Sequence, residues 1–232
     1  MRARLPAKEI IVAKPRKRET EDTILNAAWR LFGEQGYPNV SYNDLAEESG
    51  IKKGTVQHYF PKKEEILLGL LCRLRENSRL VGQEMEIGTT TLFEHLYILG
   101  QIYLSSLMYD SKTRRFFSSV LENLALTDEA ISLDFSWSKE FVGVRPQGSR
   151  NGSFDPDMVV AMGGLYELMF HCIRHDEPID IPQRLMPPFF VLANRLGIAQ
   201  KACQKMLLRC QLPDKKLRSC AEEALGLMLQ EE

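Results

Sequence analysis

The chain has 232 residues, of which 44% are hydrophobic, and its formal net charge is −1. This composition can fill one large core or two modest ones, and the longest apolar runs are too short to span a bilayer, so we expect a soluble, cytoplasmic protein. The five cysteines form no CxxC pair, which argues against a zinc finger or a disulfide framework.

The charge is distributed unevenly along the chain. Residues 1–64 contain 12 Lys and Arg against 9 Asp and Glu, whereas the remainder contains 18 against 22. The basic N-terminal part, residues 1–64, is called the head below, and the acidic remainder is called the body. This charge distribution is typical of a nucleic-acid-binding protein with a second, different domain. Residues 1–18 lack a helical period and contain Pro6 and Pro15, so they are predicted to form a flexible basic arm that follows DNA; the alternative is a solubilising tail.

The first predicted helix runs from about Glu19 to Gln35, and Gly36 ends it. Residues 41–63 then have the pattern of a helix-turn-helix. Ser41 and Asp44 resemble a capping box, so a helix should start at Tyr42 and end near Ser49. Gly50 suits the positive φ of the turn, and a second short helix should begin at Lys52 or Lys53 and end by Phe60, because Pro61 disfavours helical geometry before it.

The outward face of that second helix has no carboxylate, which suits a polyanion. Gly54 would let backbone amides approach a phosphate, and Lys63 repeats a cation in the first turn of the next helix. The alternative is that the lysines form a solvated face and Tyr59 is ordinary packing. The outward residues are Lys52, Lys53, Thr55, Gln57, His58 and Tyr59.

Residues 24–67 resemble the N-terminal DNA-binding domain of the tetracycline-repressor (TetR) family. One departure is Gln57, where the family usually carries an aromatic residue; Gln can bond an adenine edge, so base preference should be unusual. The matching landmarks are Ala27–Ala28, Leu31–Phe32, Gly36–Tyr37, Leu45–Ala46, Gly50–Ile51, Lys53–Gly54–Thr55, His58–Tyr59–Phe60 and Lys63–Glu64.

The resemblance implies an effector-responsive repressor that binds a palindromic operator in double-stranded DNA as a homodimer, without a cofactor. Lys52, Lys53, Thr55, Tyr59 and Lys63 are expected chiefly to hold phosphates. Base readout is expected from Gln57, with His58 or Thr55 as further candidates. The complete set of predicted DNA-binding residues is Ser41, Tyr42, Lys52, Lys53, Gly54, Thr55, Gln57, His58, Tyr59 and Lys63.

The fold is predicted to be all-α, with a helix-turn-helix domain at 19–65 and a helical ligand-binding and dimerisation domain at 66–232. A fourth helix, 62–85, should link them. The loop-like stretch 143–155 precedes a helix with Asp155 as its expected cap, and the Pro187–Pro188 step should kink or restart the next one. Further helices are expected at 90–109, 113–125, 128–142, 155–175, within 183–197, 199–211 and 214–229.

Family resemblance assigns the dimer interface to the helix at 155–175 and the next long one, and an effector pocket to the body. The plainer interpretation of each pocket candidate is that it is a core residue. Glu167, His171 and His175 share one helical face, which would suit a metal, although a polar edge is the plainer interpretation, so no metal is predicted. The pocket candidates are Phe93, Tyr97, Tyr103, Phe117, Leu121, Trp137, Met162, Tyr166 and Met169.

Two other classes of function compete with a DNA-binding regulator. An enzyme is disfavoured because the sequence has no phosphate loop, nucleophile elbow, HExxH motif or clear strand pattern, so no catalytic residue is predicted. A helix-turn-helix used only for protein docking stays open. It predicts no salt-dependent affinity for DNA.

Overall fold

The structure is a computed structural model that describes residues 15–85, 91–142 and 156–229. Within these ranges the chain forms α-helices and short 3-10 turns and no strand, which confirms the all-α prediction. The helices are α1 (Pro15–Gln35), α2 (Tyr42–Ser49), α3 (Lys53–Tyr59), α4 (Lys63–Glu84), α5 (Leu92–Leu107), α6 (Ser111–Leu121), α7 (Leu124–Val142), α8 (Pro156–His175), α9 (Ile181–Arg195), α10 (Gln200–Arg209) and α11 (Asp214–Gly226), with 3-10 turns at Tyr37–Asn39 and Leu227–Leu229.

The residues predicted to start and end α2 do so in the structure. The Ser41 hydroxyl accepts hydrogen bonds from the backbone amides of Asn43 and Asp44, at 3.2 and 3.3 Å. The Asp44 carboxylate accepts one from the Ser41 amide at 2.7 Å, which completes a capping box. Gly50 ends the helix at φ 68°, in the left-handed region that glycine adopts without strain. These local interactions fix where the helix-turn-helix begins and turns.

The first helix starts earlier than predicted. It begins at Pro15 rather than near Glu19, so Arg16, Lys17 and Arg18 lie in a helical turn and not in a flexible arm. Proline fits the first helical position because its missing N–H has no helical partner there, and Lys, Arg and Glu favour the helix that follows. The rest of the predicted arm, residues 1–14, lies outside the described residues, as do the predicted loop 143–155 and its Asp155 cap.

The sequence predicted that the Pro187–Pro188 step would kink or restart the helix; α9 is continuous through this step, so the restart is wrong. A proline leaves the carbonyl four residues earlier without its helical donor. Those carbonyls belong to Gln183 and Arg184, which are both exposed in the first turn of the helix. Water can reach this part of the backbone, so the missing hydrogen bonds cost less here than they would in a buried turn.

The helix α4 supplies core side chains to both halves of the chain. It packs against α1 in the head and against α5, α7 and α11 in the body. Its residues Ile66, Leu67, Leu70, Leu71 and Leu74 are fully buried. No described helix combines the length and the hydrophobicity that a membrane span would need.

The two last helices, whose role the sequence did not indicate, are part of the core of the body. The Asn77 amide donates to the Ala224 carbonyl at 3.1 Å, which ties α11 to α4. The Gln101 side chain donates to the Cys210 carbonyl at 3.0 Å and accepts from the Leu212 amide at 2.9 Å. Buried polar groups satisfied in this way fix α10 and α11 against α4 and α5.

Candidate DNA-binding head and effector cavity

The surface of α3 presents the residues that the sequence placed there. Val56 is fully buried and anchors the helix to the core of the head. Lys52, Lys53, Gly54, Gln57 and His58 are exposed, while Thr55 and Tyr59 are half-buried. An added Cβ at Gly54 would meet no atom within 4 Å, so this side of the helix is open. Cations, an amide and an imidazole are therefore available to an external polyanion.

Two of the predicted DNA-binding residues also hold the head together. The Tyr42 hydroxyl donates to the Phe60 carbonyl at 2.7 Å, which ties α2 to the end of α3. Burial, followed by the charges of Glu64 and Glu65, raises the pKa of Tyr42, so this hydroxyl keeps its proton. Ser41 is the cap of α2. The side chains of Tyr42 and Ser41 thus position α2 and α3 through contacts within the protein.

Lys63, predicted to hold a phosphate, is engaged inside the head. Its ammonium donates to the carbonyl oxygens of Tyr37 and Val40, both at 2.9 Å, and lies 4.1 Å from the centroid of the Tyr37 ring. Burial lowers the pKa of Lys63, partly offset by Glu64. Two of its three N–H bonds are thus used to brace the loop between α1 and α2. The sequence offers no local signal for this contact.

A cavity lies between α5, α7, α8 and α9 and is partly open to solvent. Its wall is apolar except for Tyr103 and Asp134, which matches the usual character of small-molecule sites. The apolar lining residues are Leu96, Gly100, Leu104, Met158, Met162, Leu185, Pro188, Phe189 and Leu192.

Of the predicted pocket residues, Tyr103 and Met162 line this cavity. Leu121 is partly buried, and the Trp137 side chain lies outside the described residues. The sequence missed the contribution of α9, although its apolar residues recur at helical spacing, and it missed Asp134. The other candidates are buried core residues that do not line the cavity, namely Phe93, Tyr97, Phe117, Tyr166 and Met169.

A buried polar network stands behind the cavity wall. The Arg75 guanidinium on α4 and the Tyr166 hydroxyl on α8 each donate to the Asp134 carboxylate on α7. Arg75 is 5% exposed, Asp134 8% and Tyr166 1%, so water does not compete for these contacts. The Arg75 guanidinium carbon also lies 5.1 Å from the centroid of the Tyr103 ring. The network therefore joins the helix shared with the head to the helices that enclose the cavity.

The charges in this network depend on one another. Burial raises the pKa of Asp134, and the Arg75 charge opposes that shift. Burial alone would lower the pKa of Arg75, but the charge interactions with Asp134, Tyr103, Tyr166 and Cys72 together outweigh burial and raise the pKa, so the guanidinium stays charged. Neither charge is tolerable alone in this interior, because a buried ion without its partner is strongly destabilising.

A second side chain of α4 connects the head to the end of the chain. The Arg73 guanidinium donates to the side-chain oxygens of Asn26 and Asp22 on α1, both at 2.5 Å. It also reaches the Met228 carbonyl in the C-terminal 3-10 turn at 3.5 Å. A displacement of this part of α4 would therefore be felt by α1 within the head.

Residues 24–70 match the family model described as "Bacterial regulatory proteins, tetR family". The match covers most of α1, all of α2 and α3, and the start of α4, which is the region whose geometry is described above. This segment of the chain is similar to the TetR family. This confirms the resemblance that the sequence shows in residues 24–67.

The relatives of this chain are similar to it mainly in the head. The uncharacterized regulator YuxN of Bacillus subtilis (strain 168) is 41% identical over 54 residues, which are 23% of this chain and 19% of YuxN. The regulator TtgR of Pseudomonas putida is 28% identical over 120 residues, which are 50% of this chain and 56% of TtgR. The chain thus spans no more than about half the length of these relatives.

A solved structure extends the likeness to the body. The crystal structure of RolR in complex with resorcinol superposes with a TM-score of 0.53 at 16% identity, covering 87% of this chain and 99% of RolR. At that identity the likeness concerns the fold alone. It shows that the fold of the body resembles that of RolR.

The exposed sides of α8 and α9 carry apolar side chains. Val160 is 75% exposed, and Phe190 and Val191 are only partly buried. An added Cβ at Gly163 or Gly164 would meet nothing within 4 Å, so no side chain of the described residues packs there. The glycines leave a flat stretch of backbone open on this face.

The possible metal ligands on α8 do not assemble into a site. Among the described residues, no group of three or more His, Cys, Asp or Glu side chains is placed to hold a metal ion. The ring centroids of His171 and His175 lie 4.4 Å apart. The His171 Nε2 is 3.7 Å from a Glu177 carboxylate oxygen, and the side chains of His171 and Glu177 are about half exposed. These residues form a polar edge at the end of the helix.

Proposed function

We propose that the protein is an effector-responsive repressor that binds a palindromic operator as a homodimer. The observation that carries the proposal is the acid-free, exposed face of α3, held by the buried Val56 in a domain of the TetR family. A second helix of a helix-turn-helix typically enters the major groove, and its exposed side chains reach phosphates and base edges. A dimer bound over a promoter blocks transcription, so repression is the expected outcome.

The homodimer rests on the apolar face of α8 and α9. An exposed Val160 beside the open backbone of Gly163 and Gly164 suits close packing against the same helices of a second copy. A twofold axis through this face makes the interface self-complementary and pairs the two heads. Two heads related by a twofold axis require two half-sites about one helical turn of DNA apart.

Within each head, contacts are divided between positioning and readout. Lys52, Lys53, Thr55 and Tyr59 hold phosphates, which fixes the register of the protein on the duplex. Gln57 is exposed at the middle of α3 and reads bases, with an adenine edge as the preferred partner. His58 is also exposed and is the second candidate for readout.

A small molecule in the apolar cavity is the proposed effector. The wall comes from α5, α7, α8 and α9, and Arg75 of α4 contacts the same Asp134 that lines it. Resorcinol bound to RolR, a protein of the same fold, supports a small ligand. Occupation of the cavity would shift α4 and with it the head, through a differential affinity of the ligand for two positions of that helix.

The direct test is fluorescence anisotropy of the full chain with duplex DNA from the promoter beside its own coding sequence. Binding at two salt concentrations gives the number of phosphate contacts. Each contact contributes roughly −0.9 to the slope of log affinity against log salt concentration. Lys53→Ala should weaken binding and reduce that slope by about 1 per head. Lys201→Ala, an exposed lysine at the start of α10, is the matched control and should bind as the wild type.

Readout is tested with Gln57→Ala on operators that carry single base changes. The variant should lose about 1–3 kcal/mol of discrimination at one position of each half-site, with little loss on unrelated DNA. Equal losses from Gln57→Ala and Lys53→Ala on every duplex would contradict the division of roles. If the wild type bound no duplex even in dilute buffer, the protein-docking alternative would replace the regulator.

A further inference from the structure

The cavity contains one buried hydroxyl that lacks a partner. Tyr103 is 2% exposed and lines the cavity, and its hydroxyl, although the Arg75 guanidinium lies near it, makes no hydrogen bond of acceptable geometry with a described residue. By contrast, the Tyr97 hydroxyl on the same helix donates to the Pro182 carbonyl at 2.6 Å, and Tyr166 donates to Asp134. Most buried polar groups are paired, so an orphan in a cavity wall points to a partner that binds there.

The charges at the cavity indicate what kind of partner fits. Among the described residues, Asp134 is the only charged one in the wall, and its carboxylate already accepts from Arg75 and Tyr166. The Arg75–Asp134 pair is neutral as a unit. A cationic ligand would add one uncompensated positive charge to this interior, and an anionic ligand one negative charge, and either would be disfavoured by desolvation.

We propose that the cavity takes a neutral, mostly apolar molecule with one hydrogen-bonding group that pairs with the Tyr103 hydroxyl. The remaining wall, which includes Met158, Met162, Leu185 and Phe189, would pack against the apolar body of the ligand. Methionine and leucine side chains adapt to different shapes, so the polar group sets the orientation of the ligand and its bulk sets the fit. This inference rests on the proposed effector function of the cavity.

Four probes that share a phenyl ring and a short chain but differ at the end separate these possibilities. They are phenylethanol, propylbenzene, phenylethylamine and phenylacetate, which present a neutral hydroxyl, a methyl group, a cation and an anion. Isothermal titration calorimetry with the full chain measures each affinity directly. Phenylethanol should bind at least about tenfold more tightly than either charged probe, because only the charged probes bring an unpaired charge into the interior.

Tyr103→Phe removes the hydroxyl and keeps the ring in the wall. It should weaken phenylethanol by about tenfold, the typical loss when a hydrogen bond to a buried group disappears, and leave propylbenzene unchanged or tighter. Tyr97→Phe is the matched control, since it removes a buried hydroxyl from the same helix that does not line the cavity. It should leave both affinities unchanged, even if it lowers stability.

Stronger binding of a charged probe, absence of binding by phenylethanol, or equal losses of phenylethanol and propylbenzene affinity in Tyr103→Phe would each overturn the proposal. DNA binding is measured separately, so its failure is distinguishable from that of the ligand class. A chain that binds phenylethanol as described but never releases its operator would keep the proposed ligand chemistry and refute the proposed response to an effector.

Discussion

Replacing Asp134 with leucine should destabilise the protein severely, and replacing Arg75 at the same time should restore most of the loss. Asp134 accepts from Arg75 and Tyr166 in an interior where all three residues are buried. Asp134→Leu leaves the guanidinium charged without its counterion and the Tyr166 hydroxyl without its acceptor. The double variant Arg75→Met, Asp134→Leu removes both charges and fills the space with apolar side chains.

The magnitude follows from burial. Breaking one side of a buried ion pair typically costs about 3–5 kcal/mol, whereas replacing both sides with apolar residues is often close to neutral. For a chain of this size, each kcal/mol shifts the melting temperature by roughly 2–4 °C. Asp134→Leu should therefore melt about 6–20 °C below the wild type, and the double variant should lie within a few degrees of it.

Urea unfolding followed by circular dichroism gives the free energy of unfolding, with all variants at one protein concentration because the proposed dimer makes stability concentration-dependent. Asp128→Leu is the control, since Asp128 is an exposed carboxylate on the same helix and its replacement should change stability by no more than about 0.5 kcal/mol. A cost below about 1 kcal/mol for Asp134→Leu, or a double variant as unstable as the single one, would refute the reasoning.

Three further outcomes are expected. Lys63→Ala should lower the free energy of unfolding by about 1–2 kcal/mol, because the ammonium donates to two backbone carbonyls. It should weaken binding to all DNA while leaving the slope of log affinity against log salt concentration unchanged. A smaller slope would mean that Lys63 does contact a phosphate. Burial raises the pKa of Glu94, but its hydrogen bonds from Thr91 and Arg209 outweigh burial and lower the pKa. The stability difference between wild type and Glu94→Gln should therefore be constant above about pH 5 and shrink as the pH falls below about 4.5. Denaturant midpoints measured across this pH range check the prediction, and a difference that grew in acid would contradict its sign. Gly50→Ala should cost about 1–2 kcal/mol in thermal or urea unfolding because its φ is 68°, whereas Gly54→Ala, with open space around the added methyl, should cost nothing.

The head was predictable because its signals are local. Ser41, Asp44 and Gly50 act within a few residues of themselves, so their sequence spacing fixes the bounds of α2. Pro61 likewise limits α3. Side chains that reach across the fold were not predictable in this way, as Lys63 demonstrates by contacting a loop more than twenty residues away.

The cavity and its polar network were harder to predict because their parts are far apart in sequence. Arg75 and Asp134 are separated by 59 residues. The available signal was that each charged residue falls in register with an apolar stripe, Arg75 four residues after Leu71 and Asp134 four after Ala130. A charge at such a position predicts a buried partner, but only the packing of α4 against α7 identifies which one.

The helix α4 contributes to the cores of both the head and the body, which limits how the head can be joined to the body of another protein. A join at residue 65 would fall within the first turn of a single helix and would separate Arg73 from its acceptors on α1. Joining the head to the body of another protein should therefore succeed only when α4 and Arg73 are transferred together with the head. The proposed operator preference and the proposed effector response would therefore be transferred together.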